Sequence, residues 1–473
     1  MKRILIYIFS LVVGLSTFWS CDFDTRIYTA IDMDNAFGSA QDIENALNGT
    51  YRNVGSYYYR GNRIIAIGDM ASDVGVANAS SGHFVSINMW TFTDTSGELL
   101  DAWTYGYKVI DQSTRAINGA SALIAEGNLP AGDDDRLESA MSQFYALRAL
   151  AHFDLVNLFG LPYIAGGNNT QPGIVIVDQE PIEDFQQVSR STVEETYAQI
   201  LKDINSAKQY VIGGRNQYYF NEAAIYALEA RVNLYMHRYE AASTAANRAI
   251  ELRNSAGVDN ETYVSMWRDT AITGEDIFTL VKSEDDNLSA NALNTLYGSY
   301  GGSVSTFASN KLGENDIRAG LLYTHPTRGT NRSGKWLGKA DAAAVSNVPV
   351  FRLSEMYLIV AESQAELDNI SDAQAALLYI AKRNTDITTV ADLPSTQDGL
   401  LQFIADERVR EFFTEGHRFY DLRRTGVVAT IAGDDQFVAA DFVYPIPSAE
   451  INSGFGVTQN EGWSNNLPNP EAN

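Results

Sequence analysis

Residues 354–383 of the chain read SEMYLIVAESQAELDNISDAQAALLYIAKR. Apolar residues recur at helical spacing on both sides of a short polar break at Asp368 and Asn369. A period near 3.6 residues is typical of an amphipathic helix, and two such windows around a short turn are typical of a helical hairpin. The stretch therefore predicts one helix over residues 354–367 and a second over residues 372–383.

A similar pair lies upstream, with helices predicted over residues 223–236 and 239–252. Ala230 and Ala242 have the same spacing as Ala361 and Ala373. Small residues at such positions let two helices pack closely, and the spacing resembles that of tetratricopeptide repeats, whose unit is about 34 residues. We predict a mostly α fold built on tetratricopeptide-like helical pairs, with ordinary helical hairpins as the alternative.

Further helices are expected outside these pairs. Their predicted ranges are residues 43–54, 103–124, 139–159 and 191–210. Gly160, with Pro162 just beyond it, gives the third of them a stop signal. For the fourth we predict a capping box, in which Ser191 is the N-cap and Glu194 reaches back to it.

Two regions lack clear helical periodicity. Residues 57–96 and 261–348 are rich in small and polar residues, and the second contains a short apolar run at residues 277–281. We expect irregular structure there, with a few short strands. Since loops on a rigid scaffold commonly carry binding residues, we predict a helical scaffold over residues 36–256 and 349–425 and a loop-rich ligand region over residues 257–348.

The N-terminus resembles a secretory signal peptide. Lys2 and Arg3 precede an apolar run that is too short for a comfortable membrane span, and small residues follow. Cys21 is the only cysteine in the sequence, and residues 18–21 (FWSC) resemble a bacterial lipobox. We therefore predict a signal peptide over residues 1–20 and lipidation of Cys21, with an ordinary signal peptide and a free thiol as the alternative.

The charge balance excludes one class of partner. The chain has 34 Lys and Arg residues against 59 Asp and Glu residues, a formal net charge of −25. Such a surface repels phosphate backbones, so nucleic-acid binding is not expected. The 25 Tyr, 21 Phe and 6 Trp residues argue against a disordered chain and suit a protein that presents ring faces to a ligand.

Several catalytic and metal patterns are incomplete. Residues 329–336 (GTNRSGKW) approach a phosphate-binding loop, but Trp336 stands where a hydroxyl must contact magnesium. The five histidines form no zinc pattern. Residues 32–34 (DMD) begin like a calcium loop that is not completed. No cofactor is expected, and a structural calcium ion is left open without an assigned position.

The C-terminal third contains more specific blocks. They are residues 352–362 (RLSEMYLIVAE), 407–413 (ERVREFF), 415–424 (EGHRFYDLRR) and 444–452 (YPIPSAEIN). These blocks, together with residues 48–51, 147–160 and 223–250 upstream, resemble the SusD/RagB family in the family's order. The resemblance covers essentially the whole chain after Cys21, and we expect a single SusD-like domain over residues 21–473.

The charged residues of these blocks have a structural interpretation of their own. They alternate in sign at close spacing, which predicts a buried or half-buried ion network that pins the terminal helices together. Its expected members are Arg410, Glu411, Glu415, Arg418, Arg423 and Arg424.

The resemblance implies a function without catalysis. Family members are outer-membrane lipoproteins that capture oligosaccharides, or in some cases peptides, and pass them to a SusC-like, TonB-dependent transporter. It implies here a lipid-anchored protein on the outer membrane that faces the cell exterior. A peptide-binding member, a secreted glycoside hydrolase and a purely structural partner of the transporter remain as alternatives.

Ligand residues are predicted from chemistry and loop position. Aromatic rings stack on the apolar faces of sugars, and carboxylates accept hydrogen bonds from sugar hydroxyls. The candidates are Asp73, Trp90, Tyr297, Tyr300 and Trp336. A role as packing anchors is the alternative for the aromatic residues. Trp103 and Trp267 lie in apolar periodic contexts and are expected in the core.

Overall fold

Helices dominate the computed structural model, which describes residues 36–179, 181–182, 186–213, 216–327, 329–339 and 344–469. They are α1 Ala40–Val54, α2 Arg63–Met70, α3 Val85–Asn88, α4 Gly97–Glu126, α5 Asp133–Phe159, α6 Val193–Gln209, α7 Glu222–Tyr235, α8 Tyr239–Arg253, α9 Asn260–Met266, α10 Leu293–Tyr297, α11 Thr306–Asn310, α12 Leu353–Glu366, α13 Ile370–Ala381, α14 Gln397–Phe412, α15 Arg418–Thr425 and α16 Ser448–Ile451. The predicted mostly α fold is confirmed.

The strands are short and pair antiparallel. They are β1 Gly75–Val76, β2 Asp276–Leu280, β3 Ser303–Val304, β4 Leu322–His325, β5 Gly329–Ser333, β6 Val348–Arg352, β7 Val428–Ile431 and β8 Asp434–Val438. Within the described ranges they form two-stranded sheets, β1 with β3, β2 with β6, β4 with β5 and β7 with β8. In the first sheet Gly75 lies opposite Val304, which joins the segment after α2 to the segment after α10.

The predicted helical pairs are present as α7–α8 and α12–α13, and α8 also packs on α12. The four alanines that suggested the repeat, Ala230, Ala242, Ala361 and Ala373, are fully buried. Because no large side chain separates the backbones at these positions, the two pairs stack into one layer of the scaffold.

The capping box at the start of α6 lies one residue further along than predicted. Thr192 is the N-cap: its hydroxyl accepts a hydrogen bond from the backbone N–H of Glu195 at 3.1 Å, and its own N–H donates to Glu195 Oε2 at 2.8 Å. The prediction of Ser191 and Glu194 was wrong because Ser191 is engaged by its backbone, which pairs with Gly173 and Ile174. The helix therefore begins one residue later.

The segment predicted as irregular over residues 57–96 contains the buried helix α2. Every residue of α2 is buried, so its apolar run shows no polar face and no amphipathic period. The helix packs against a C-terminal loop at one narrow point, since a Cβ atom at Gly68 would lie 2.2 Å from the carbonyl oxygen of Gly416. Only glycine fits at that contact.

A buried ion network joins the C-terminal helices to the scaffold, as the sequence predicted. Glu411 on α14 lies 3.2 Å from Arg318, 3.0 Å from Arg352 and 3.1 Å from Arg383, and all four side chains are buried. Arg352 also contacts Glu415 at 2.9 Å. Removal of one partner from such a network leaves an uncompensated buried charge.

The outer members of the network bind elsewhere. Arg410 pairs with Glu407, Arg418 with Asp73, and Arg424 with Glu362 and Asp421. Arg423 differs from the prediction, since it donates to the backbone carbonyls of Asn157 and Gly160 instead of to a carboxylate. These contacts fix the C-terminal end of α5 against α15.

The described residues from Ser39 onward form one unit. None of the helices in the described part of the chain is both long and apolar enough to span a bilayer. The predicted signal peptide, residues 1–20, the predicted lipidation site, Cys21, and residues 32–34 lie outside the described residues.

Candidate functional site

A cleft of about 1000 Å³ lies between the β1–β3 sheet, α11, α14, α15 and strand β7. The segment before β1 contributes Asp73 to one wall, and the start of α11 contributes Phe307. Further lining residues come from one face of α14 and from residues 427–433, which include all of β7. Its volume is at the upper end of the range typical of small-molecule sites.

Apolar side chains are exposed around this cleft. They are Val76, Met89, Phe307, Val427 and Val428, each between 38% and 50% exposed. Exposed apolar residues that cluster, instead of lying singly, commonly mark a ligand or partner site. The cleft therefore offers apolar surface to a ligand as well as charge.

Two residues that line the cleft, Arg418 and Asp73, form an ion pair. Nε of Arg418 lies 2.7 Å from Oδ1 of Asp73, and its second nitrogen lies 2.7 Å from Oδ2. The guanidinium carbon of Arg418 also lies 5.4 Å from the Phe307 ring centre, and Lys311 Nζ lies 4.8 Å from it. Two cations thus flank the Phe307 ring. The pair orients Asp73 while its oxygens retain lone pairs for further donors.

Deeper charges in the cleft are paired with one another. Asp421 bonds to Arg408 at 2.8 Å and to Arg424 at 2.9 Å. Burial opposes ionisation of Asp421, but the two guanidinium groups outweigh it and hold the pKa of this carboxyl well below its usual range. Arg424 also pairs with Glu362. The deep part of the cleft therefore contains carboxylates and guanidinium groups that are bonded to one another.

An aromatic platform adjoins the cleft. The Tyr300 ring stacks on the His83 ring with centroids 4.0 Å apart and planes inclined by 8°. The side chain of Asn78 donates to the carbonyl of Tyr300 at 2.8 Å, and the loop between them leads into the β1–β3 pairing. Both rings are partly exposed, so the stack presents a flat face beside the cleft.

The sequence predictions for the site have mixed outcomes. Asp73 lines the cleft, and Tyr300 forms the platform at the other end of the β1–β3 pairing. His83 was considered only as a metal ligand and was missed as a stacking partner. The pairing joins two loops more than 200 residues apart, and no local pattern marks it.

The other three candidates are core residues, so their expected exposure on loops was wrong. Trp90 is 1% exposed, and its ring lies 4.5 Å from that of Phe442. Tyr297 donates its hydroxyl to Asp69 at 3.0 Å, and Trp336 donates Nε1 to the carbonyl of Thr414 at 3.0 Å. A fully buried ring has no free face for a sugar. Trp90 and Trp336 thus anchor loop segments by packing, and Tyr297 anchors the short helix α10.

Trp103 and Trp267 are buried, as predicted. Within the described ranges, no group of three or more His, Cys, Asp or Glu side chains is arranged to hold a metal ion. The structural calcium ion that the sequence analysis left open stays a prediction without an assigned position.

Two family models match the chain. The model of the SusD family matches residues 184–463, and a second, described as starch-binding and associating with the outer membrane, matches residues 28–234. The first covers more than half of the chain. Together they span nearly all of the residues that the structure describes.

Individual relatives agree with these models. SusD-like protein P2 of Formosa agariphila is 26% identical over 211 residues, which are 43% of this chain and 38% of that protein. The starch-binding protein SusD of Bacteroides thetaiotaomicron is 33% identical over 128 residues, 25% of this chain and 22% of that protein. The matched segments thus span less than two fifths of either relative.

A solved structure matches over a much longer range. The crystal structure of a SusD superfamily protein from Bacteroides vulgatus superposes with a TM-score of 0.80 and 27% sequence identity, and the match covers 90% of this chain and 99% of that one. The two chains therefore share one fold over the matched length.

Proposed function

Because this chain belongs to the SusD family, we propose that it captures oligosaccharides in the cleft and at the Tyr300–His83 platform, without transforming them. The observation that carries the proposal is the pairing of a partly exposed aromatic stack with a charged and apolar cleft. Sugars offer two matching features, apolar C–H faces that stack on rings and hydroxyls that bond to charged groups.

The Asp73–Arg418 pair is suited to the second feature. A carboxylate already bonded to arginine accepts further hydrogen bonds from sugar hydroxyls, and the guanidinium group holds it in place. The exposed Phe307 ring next to it offers apolar contact. A neutral glycan chain that enters the cleft therefore meets both an aromatic ring and hydrogen-bonding groups.

The proposed location follows from the family and from the N-terminus. One matching family model describes association with the outer membrane, and we propose that a lipid on Cys21 anchors the protein there, with the cleft facing the cell exterior. Delivery to a SusC-like, TonB-dependent transporter completes the proposed role. The transporter would receive the glycan that this chain has concentrated at the surface.

The proposal is tested by isothermal titration of the purified protein. The panel is maltoheptaose, laminariheptaose, cellohexaose, xylohexaose and mannohexaose, and each mixture is analysed afterwards for shorter products. We expect saturable binding to one linkage class, with the oligosaccharide recovered intact. New reducing ends would point to a glycoside hydrolase, and a panel without any binding would contradict glycan capture.

A peptide is the second candidate ligand, and strand β7 favours it. In the described residues β7 pairs only with β8, and residues 427–433 line the cleft with Val427 and Val428 exposed. An unpaired strand edge can accept an extended peptide by strand addition. Because the chain is acidic, basic peptides should bind best and lose affinity as salt rises. A pool of short peptides, titrated in low and high salt, separates this candidate from the first.

A further inference from the structure

Three tyrosines form a surface cluster away from the cleft. The Tyr57 and Tyr58 ring centroids lie 5.2 Å apart, and those of Tyr58 and Tyr105 lie 5.0 Å apart with planes inclined by 30°. Tyr58 is 41% exposed, and the other two rings are partly exposed. The next tyrosine in the chain, Tyr59, points into the core, where its hydroxyl donates to Asp154 at 2.7 Å. We call Tyr57, Tyr58 and Tyr105 the tyrosine cluster.

Charged side chains border the tyrosine cluster on several sides. The guanidinium carbon of Arg63 lies 4.3 Å from the Tyr57 ring centre, and Arg63 pairs with Asp101 at 2.8 Å and lies 3.9 Å from Glu98. Lys108 Nζ lies 5.2 Å from the Tyr105 ring centre. The helix α4 explains part of this arrangement, since residues three to four apart on a helix share one face.

The tyrosine cluster is continuous with the platform. Arg63 packs on Tyr57 on one side and lies 5.1 Å from the Phe84 ring on the other. Phe84 directly follows His83, whose ring stacks on Tyr300. Arg63 and Phe84, which are both buried, thus connect the cluster to the segment that carries His83.

The composition of the cluster favours a carbohydrate over a protein partner. The core of a protein interface is depleted of charged residues, whereas here Arg63, Glu98, Asp101 and Lys108 surround only three rings. Ring faces with charged hydrogen-bonding groups at their edges suit sugar units, which pair an apolar face with equatorial hydroxyls.

We propose that the tyrosine cluster is a second carbohydrate subsite, which holds distal units of a long glycan whose other part occupies the platform and cleft. This inference rests on the proposed function and adds a length preference to it. Two linked subsites raise the affinity for a chain that reaches both, while a short oligosaccharide gains nothing from the second.

The test is native electrophoresis of the purified protein in gels that contain amylopectin, laminarin, xylan or galactomannan. The polymer that retards the wild type is then used with the variant Tyr58→Ala/Tyr105→Ala, the variant Tyr58→Phe/Tyr105→Phe and the control Tyr218→Ala, which removes a tyrosine that is 44% exposed elsewhere. The trisaccharide of the same linkage is titrated calorimetrically against each variant.

We expect the double alanine variant to raise the dissociation constant for the polymer about tenfold, equivalent to about 1.4 kcal/mol, and to leave trisaccharide affinity unchanged. The double phenylalanine variant, which keeps the rings, and Tyr218→Ala should bind like the wild type. Polymer retardation that is unchanged in the double alanine variant would overturn the subsite and leave glycan capture standing. A loss of trisaccharide affinity would also overturn it as a separate subsite, and a wild type retarded by no polymer would overturn both proposals.

Discussion

Arg418 on α15 and Asp73, just before β1, form a two-pronged ion pair with both nitrogen–oxygen distances at 2.7 Å. The pair ties the C-terminal helices to the segment that carries the β1–β3 sheet. That sheet in turn joins the loop of Tyr300 to the cleft. The geometry of the candidate site therefore depends on a contact between residues from opposite ends of the chain.

Substitution Asp73→Asn should lower the free energy of unfolding by about 3 kcal/mol, because Arg418 then stays largely buried without its counter-charge. Urea unfolding followed by circular dichroism measures the loss. The variants Arg418→Gln and Asp73→Asn/Arg418→Gln complete a double-mutant cycle. Additive losses in the double variant would show that the two side chains are not coupled.

Substitution Glu411→Gln should lower the free energy of unfolding by about 3–5 kcal/mol, because three buried arginines lose their shared carboxylate. Burial disfavours the Glu411 carboxylate, but the arginines outweigh this and hold its pKa well below the ordinary value of 4.5. A lowered pKa stabilises the fold fully above pH 4.5 and progressively less as the pH falls below it.

Urea unfolding at pH 7 and pH 3 checks both parts of this prediction. The difference in unfolding free energy between the wild type and Glu411→Gln should be smaller at pH 3 than at pH 7. Glu44→Gln is the matched control, since Glu44 forms a surface ion pair with Arg136 and its loss should cost no more than about 1 kcal/mol. Equal losses of unfolding free energy in Glu411→Gln and Glu44→Gln would contradict the stabilising role assigned to the network.

We predict that the titration of Asp69 makes the free energy of unfolding fall as the pH rises. Burial raises its pKa to about 8, although the Gly416 N–H and the Tyr297 hydroxyl both donate to it. Between its ordinary value of 3.8 and about 8, the folded state keeps a proton that the unfolded state has lost. This group therefore lowers the free energy of unfolding by about 1.4 kcal/mol per pH unit across that window.

Substitution Asp69→Asn mimics the protonated form and removes the titration. The variant should match the wild type below about pH 3.8 and exceed its stability by a growing margin toward pH 8, as measured by urea unfolding across that range. Parallel curves for the two proteins would show that Asp69 does not titrate in this window.

Substitution Trp336→Ala is expected to act on folding, not on ligand affinity. It removes a buried ring and its hydrogen bond to Thr414, and changes of this kind cost about 3–5 kcal/mol. Trp336→Phe keeps most of the side-chain volume and should lower the free energy of unfolding by less. Thermal unfolding and glycan titration of the same preparations separate the two effects. A folded Trp336→Phe variant with at least tenfold weaker binding would return this residue to the site.

The sequence predicted the scaffold better than the site. The helical pairs followed from local periodicity and from small residues such as Ala230 and Ala361, because helix formation and close packing depend on nearby residues. The charged C-terminal blocks predicted Glu411 as a network residue, since buried carboxylates need nearby cations. The buried helix α2 was missed because an element that is apolar on all sides has no amphipathic signal.

The site was only partly predictable because loop position does not determine exposure. Trp90 and Trp336 lie in or beside irregular segments, yet both rings fill the core. Tyr300 was found by residue type, whereas its partner His83 comes from a loop distant in sequence and was recognisable only in the fold. Ring stacking between remote loops leaves no spacing pattern that a single sequence can reveal.

The central claim is that the Tyr300–His83 platform and the adjoining cleft bind a glycan. Isothermal titration of Tyr300→Ala with the oligosaccharide that binds the wild type tests it most directly, with Tyr218→Ala, which removes an exposed tyrosine outside the site, as the control. We predict that Tyr300→Ala weakens binding at least tenfold, that Tyr218→Ala binds like the wild type, and that both variants keep the wild-type unfolding temperature. Wild-type affinity in Tyr300→Ala would contradict the claim.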